Sequence, residues 1–175
     1  MRETIVDIDW LAGVLARSVE NAGAYLHESF QMPDHSLSAR QIAQHLQGSK
    51  EVALATVTAQ GEPRVAPMAA LFCRGRFHIP TLGAAARVRH VRRRPSVSLT
   101  YCEGVDLAIV VHGRAQLLTP DHADFRILEE LLREASGAGV SDWGAEPLYL
   151  RVEPAAMFSF ARFPERFPAL EVGGG

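Results

Sequence analysis

Five arginines fall within eight residues: Arg87, Arg89, Arg92, Arg93 and Arg94. They follow the run Thr81-Leu-Gly-Ala-Ala-Ala86, which brings a hydroxyl, a glycine and three alanines to their N-terminal side. A helix N-terminus presents free N–H groups and the positive end of the helix dipole, so it attracts anions. Arg87 stands where such a helix would begin. A cation there is misplaced unless an anion joins it. With the Thr81 hydroxyl beside it, Arg87 would make a compact phosphate site. The competing reading is a solvated helix face, and Arg89, Arg92 and Arg93 fit it, turned to water or to acidic neighbours. Binding of nucleic acid is disfavoured, because the run lacks interleaved aromatics and the chain carries a net charge of −2.

Other chemistries leave no trace in the residue order. There is no glycine-rich phosphate loop, no dinucleotide fingerprint opening a helix after a strand, and no nucleophile elbow around a serine. The seven histidines are His27, His35, His45, His78, His90, His112 and His122, and none pairs with another at the helical spacing of a metal site. A hydrolase or a zinc enzyme is therefore disfavoured, and no catalytic residue is assigned.

The elements that must position these residues follow from periodicity. Ile8, Leu11, Leu15, Val19, Ala22 and Leu26 recur at spacings of three and four, which predicts one helix from Asp7 to Phe30. Met32-Pro33 punctuates it. Ser38 with Gln41 is a capping box for a short second helix, and Gly48 closes that helix. Strands are predicted over 51–58, 64–73, 76–80, 96–101, 106–118, 148–152 and 157–163, with Arg74-Gly75 as a tight turn. Pro67 cannot donate a ladder hydrogen bond, so its strand should lie at an edge or bulge there. A helix over 84–93 ends before Pro95. Another starts at Thr119-Pro120 and buries Phe125, Leu128, Leu132 and Ala135. Short, mostly consecutive strands fit a mainly β fold with α: a six-to-seven-stranded antiparallel barrel with peripheral helices. The expected organisation is an N-terminal helical extension over 1–36, a barrel domain over 37–163 and a loosely held tail over 164–175.

Composition is ordinary for a globular chain of 175 residues, 47% hydrophobic and 22% charged. No apolar run approaches the roughly 20 residues of a membrane span. The N-terminus does not read as a signal peptide. Two cysteines, Cys73 and Cys102, make no disulfide framework, so a cytoplasmic location is expected.

Taken in order, several segments are familiar together: Leu54-Ala-Thr-Val57, Gly61-Glu-Pro-Arg-Val-Ala-Pro-Met68, Phe77-His-Ile-Pro-Thr81, and Arg87 to Arg94 closed by Pro95-Ser-Val-Ser-Leu99. From about Ser38 to Leu118 their order and spacing resemble the pyridoxamine 5'-phosphate oxidase-like superfamily of flavin- and deazaflavin-binding split β-barrels. Ser141-Asp-Trp143 is more weakly similar to the deazaflavin-using branch. The resemblance implies that Arg64, Val65, Ala66, Pro67 and Met68 run beside the isoalloxazine ring. It implies that Thr81 and Arg87 meet the phosphate, with Pro80, Ala85 and Ala86 flanking them. Ala85 departs from the pattern, since a second phosphate ligand, Ser or Arg, is usual there. A homodimer with the cofactor at its interface is implied, with Trp143 or the strand from Asp106 to Leu118 completing the pocket. The implied function is an FMN-dependent oxidoreductase acting on a small molecule. A deazaflavin-dependent reductase, a non-catalytic flavin- or haem-binding protein and a dimeric domain with no ligand are the alternatives.

The remaining residues read more plainly. His78 reads as a packed barrel histidine rather than a catalytic one, and Met68 as filler near the core or ring. Trp143 caps the barrel or lines the pocket. His112 could face either side. The cysteines read as inert small hydrophobes. The first helix packs across the barrel or, as its length favours, covers a partner subunit.

Overall fold

Alternation builds the barrel. Along β1 (Ser49–Val57), Val52, Leu54 and Thr56 are buried, while Ala53, Ala55 and Val57 are only partly covered. A period of two sends one set inward and the other outward. The same pattern recurs in β4 (Ser96–Glu103) and in the first half of β5 (Leu107–Leu118). With β2 (Pro63–Cys73), β3 (Arg76–Leu82) and β6 (Pro147–Ala161), they close into an antiparallel barrel in the order β1-β2-β3-β6-β5-β4. The computed structural model describes residues 3–169, and the last six residues of the tail lie outside them. Inward side chains such as Leu54, Phe77, Ile79, Leu99, Ile109 and Val111 fill the core.

The barrel is split on one side. β2 pairs with β1 from Pro63 to Leu71 but with β3 only from Leu71 to Cys73. Residues 63–70 therefore form an edge, and Pro67 sits on it, where its missing N–H costs nothing. Arg74 and Gly75, with φ of 53° and 74°, make the two-residue hairpin turn that matches strand twist.

Among the described residues five α-helices surround the barrel, and several departures from periodicity have local causes. The expected helix over 7–30 is two: α1 (Ile5–Glu20) and α2 (Ala24–Ser29). Asn21 ends the first, its side-chain amide donating to the Arg17 carbonyl at 2.7 Å, and extended Gly23 caps the second. Both are poor helix formers, and the apolar stripe running through them concealed the break. α1 does not wait for a partner subunit. Ile8, Leu11 and Val14 are buried in this chain's own core, and the Ser18 hydroxyl accepts from the Met157 N–H of β6 at 2.9 Å.

α3 (Ala39–His45) carries the predicted capping box, with Ser38 and Gln41 each accepting from the other's N–H. Gln41 also donates to the carbonyls of Pro164 and Phe167, and the Phe167 ring packs edge-on against His45. The start of the C-terminal tail thus lies on the domain. α4 (Ala86–Arg93) begins two residues later than expected.

α5 (Phe125–Ser136) starts five residues after the expected Thr119-Pro120 cap. The Thr119 hydroxyl bonds to Asp121, and His122 accepts from the Asp124 N–H. These local bonds hold turns where a helix was expected. Within α5, Ala135 is exposed, and Glu129 and Leu131 join Phe125, Leu128 and Leu132 among the buried residues.

The two strands expected over 148–152 and 157–163 are one, β6. The register shifts where Gly113 pairs with Pro154 and His112 with Ala156, so one residue of β6 is extra. A bulge is where a strand tolerates proline. Opposite it, a side chain on Gly113 would place its Cβ 2.1 Å from the Glu153 carbonyl oxygen.

Candidate functional site

The split side of the barrel forms a cleft of about 280 Å3. Leu54 and Thr56, two inward positions of β1, make its floor, and the unpaired edge of β2 contributes Arg64, Val65 and Ala66. α4 closes the other side with Ala86, Arg87 and His90. Arg87 and His90 are three apart, so the helix repeat sets them on one face.

Two hydrogen bonds fix the basic wall. Arg87 Nη1 donates to Thr81 Oγ1 at 2.8 Å, and Thr81 is buried at the end of β3. The Thr81 hydroxyl keeps its own proton for another acceptor, and Arg87 keeps most of its donors. Three residues further along α4, His90 Nδ1 lies 2.9 Å from the buried Thr56 hydroxyl. The N-cap of α4 is Ala85, whose side chain cannot cap, so no side chain satisfies the first-turn N–H groups. Its basic residues His90, Arg92 and Arg93 lie in the last turn, where they complement the dipole.

The charge of the cleft follows. Arg64, Arg87 and His90 line it and no carboxylate does. Glu62 pairs with Arg64 at 2.6 Å from the exposed rim. Such a cleft fits an anion, and Arg87 with an uncapped helix terminus fits a phosphate group in particular. The unpaired edge over 63–70 adds backbone donors and acceptors that a planar polar ring could use. The fit is incomplete on one count: Ala85 offers no ligand.

The sequence singled out several residues that the fold distributes. Arg64, Val65, Ala66, Ala86 and Arg87 line the cleft, with Thr81 behind Arg87. Pro67 and Met68 continue along the β2 edge, with Met68 packed against the core. Pro80 is buried in β3 opposite Tyr149, and Ala85 caps α4. Trp143 is 46% exposed and does not line the cleft. Its loop lies next to the end of β3, where the Gly83 N–H donates to the Glu146 carbonyl at 2.9 Å.

That loop is anchored from beneath by Glu129. Its buried carboxylate accepts from the Tyr149 hydroxyl at 2.9 Å and the Val140 N–H at 2.8 Å, with longer contacts from Ser141 and Arg133. Burial alone would raise its pKa, but the hydrogen bonds from Tyr149, Ser141 and Val140 outweigh it and hold the carboxyl below its ordinary value.

Leu54 and Thr56 entered the sequence reading only within the segment Leu54–Val57, and His90 only among the histidines; none was named as a site residue. The signals were present: Leu54 and Thr56 share one face of a strand, and His90 lies one turn from Arg87. His78, by contrast, is on the face of β3 opposite Phe77 and Ile79, away from the cleft. It is 2% exposed and its Nδ1 has no hydrogen-bond partner. Burial, then the charge of Arg151, pushes its pKa down to about 3, so it is neutral. Burial also raises the Cys73 thiol to about 11, which leaves it unreactive. His112 faces outward from β5 and contacts Ser98 at 2.8 Å. Among the described residues no three His, Cys, Asp or Glu side chains gather as a metal site would.

Known proteins place this architecture. The sequence model of the family described as pyridoxamine 5'-phosphate oxidase matches residues 38–159. A conserved hypothetical protein of Mycobacterium tuberculosis is similar in fold, with a TM-score of 0.65 at 20% identity over 81% of this chain and 96% of that one. A FAD-binding protein of Mesorhizobium loti gives a TM-score of 0.56 at 20% identity, covering 71% of this chain and 93% of that one. The haem-storage protein HutZ of Vibrio cholerae gives 0.52 at 19% identity, over 64% and 85% respectively. No curated protein matches the sequence.

Proposed function

We propose, for a chain that belongs to the pyridoxamine 5'-phosphate oxidase family, that the α4 cleft binds the phosphate of FMN and that the protein is a flavin-dependent oxidoreductase acting on a small molecule. The observation that carries the reading is the Thr81–Arg87 pair at the uncapped start of α4, facing an unpaired strand edge across one cleft. FMN, when bound, supplies the redox chemistry. The chain's own residues bind and orient. Arg87 neutralises phosphate charge, and Thr81 holds its guanidinium in place and offers an O–H. The backbone of β2 along Arg64 to Met68 lies alongside the ring. No residue of the cleft is needed as an acid or base for hydride transfer. Deazaflavin, which also carries a phosphate, is the second candidate cofactor.

A homodimer belongs to the same reading. A cleft of about 280 Å3 is at the small end for a ligand site, so one chain covers only part of a flavin. On the outward face of the barrel beside it, two rows carry no Asp, Glu, Lys or Arg. One row across the strands reads Pro67, Ala53, Thr100, Val110 and Phe158. The next reads Val65, Ala55, Ser98, His112 and Ala156. These residues are exposed or half-buried in the single chain. A largely apolar surface continuous with an open edge is what a second copy would cover. No helix among the described residues is long and apolar enough to cross a membrane. With both cysteines unpaired, we place the protein in the cytoplasm.

The test is mass spectrometry of the native protein together with titration of the cofactor-free protein by FMN and by a deazaflavin. Retention of a flavin, or binding at micromolar concentration by a dimer in light scattering, supports the reading. Binding of neither cofactor overturns it.

A further inference from the structure

We infer that His90 is the second anion ligand of the α4 cleft and takes the role that Ala85 cannot fill. The inference rests on the proposed phosphate site and adds a residue to it. The cleft holds two basic groups on one helix face, Arg87 and His90, and Arg87 is already oriented by Thr81. His90 is oriented as well: its Nδ1 is engaged by the Thr56 hydroxyl at 2.9 Å, and Thr56 is 4% exposed on the inner face of β1. That contact occupies Nδ1, and Nε2 has no hydrogen-bond partner among the described residues.

The chemistry of Nε2 follows from the partner of Nδ1. When the Thr56 hydroxyl donates to Nδ1, Nε2 carries the proton and is a donor. In the imidazolium both nitrogens are donors. Only the tautomer with Nδ1–H donating to Thr56 would leave a lone pair towards the cleft, and an anion there selects against that form. A phosphate held by Arg87 at the first turn of α4 therefore finds a second directed N–H one turn further along. Ala85, at the N-cap, has no side-chain donor; the residues at 84, 85 and 86 are all alanine, and Arg89 Nη1 donates to the Ala84 carbonyl beside them at 3.0 Å. The site is thus built from the helix face rather than from its cap.

The test compares FMN with riboflavin, which has the same ring and no phosphate, by fluorescence quenching on the cofactor-free protein. The wild-type chain is expected to prefer FMN. The variants His90→Ala and His90→Gln are expected to lose at least about tenfold in FMN affinity, one charge-assisted hydrogen bond, with riboflavin affinity unchanged. A role confined to holding Thr56 or α4 would move both ligands together, so a parallel loss overturns the inference. An FMN preference that survives both variants also overturns it and leaves the Arg87 site standing. A wild-type chain that binds FMN no better than riboflavin overturns the phosphate site and His90 with it. Thermal melts of both variants establish that the fold is retained, and His90→Gln serves if the alanine variant does not fold.

Discussion

Replacing Glu129 with alanine removes the acceptor that joins α5, the loop after it and β6. Two donors lose their partner in a dry environment: the Val140 N–H and the Tyr149 hydroxyl, whose residues are both 0% exposed. Each orphaned group costs about 1–3 kcal/mol, and the Arg133 contact at the surface adds little. Burying the carboxylate itself is unfavourable, which offsets part of the loss, and the net expectation is about 3–5 kcal/mol. In urea, at a slope of about 2 kcal/mol per molar, the unfolding midpoint should fall by roughly 2 M. Glu129→Gln keeps one acceptor oxygen and should lose less. A pH series adds a second readout. The folded carboxyl titrates below its ordinary value of 4.5, so its contribution is full above that pH and is lost as pH falls through the folded value. The fall of stability in that acid range should be shallower in Glu129→Gln than in the wild type. A loss below about 1 kcal/mol for Glu129→Ala would refute the reasoning, because the orphaned donors would then have found other partners.

Three further outcomes are expected. Arg87→Ala should weaken FMN binding by about 1.5–3 kcal/mol, roughly 10- to 150-fold, while exposed Arg92→Ala leaves it near wild type in the same titration. Wild-type stability should fall by up to about 1.4 kcal/mol per pH unit below the ordinary histidine value of 6.5, because the unfolded chain protonates His78 there and the fold keeps it neutral down to about 3. Chemical denaturation at pH 7.5, 6 and 5 should show that slope reduced in His78→Gln. Gly113→Ala sets a methyl against the Glu153 backbone at the bulge, so thermal melts should show a loss of about 1–3 kcal/mol or more.

Features that depend on neighbours along the chain were legible in the residue order alone. Period-two burial marked the strands, Ser38 and Gln41 capped α3, and Arg74-Gly75 turned the hairpin, because each is a contact within a few residues. Pro67 required an edge or a bulge from its own covalent structure, and the fold supplies an edge by unpairing β2 from β3 over 63–70. Arg87 and Thr81 are six apart and are bonded in the fold. What distant segments bring together depends on how the barrel closes. Thr56 meets His90 across 34 positions, a pairing that no local pattern carries. β6 runs through Pro154 because a bulge opposite Gly113 absorbs it, and that bulge exists only in the β5–β6 register. Trp143 stands outside the cleft because Glu129, twenty positions before Tyr149, draws its loop onto α5. Local propensity is set by a residue and its neighbours, whereas convergence is set by barrel closure, and the candidate site lies where the closure is incomplete.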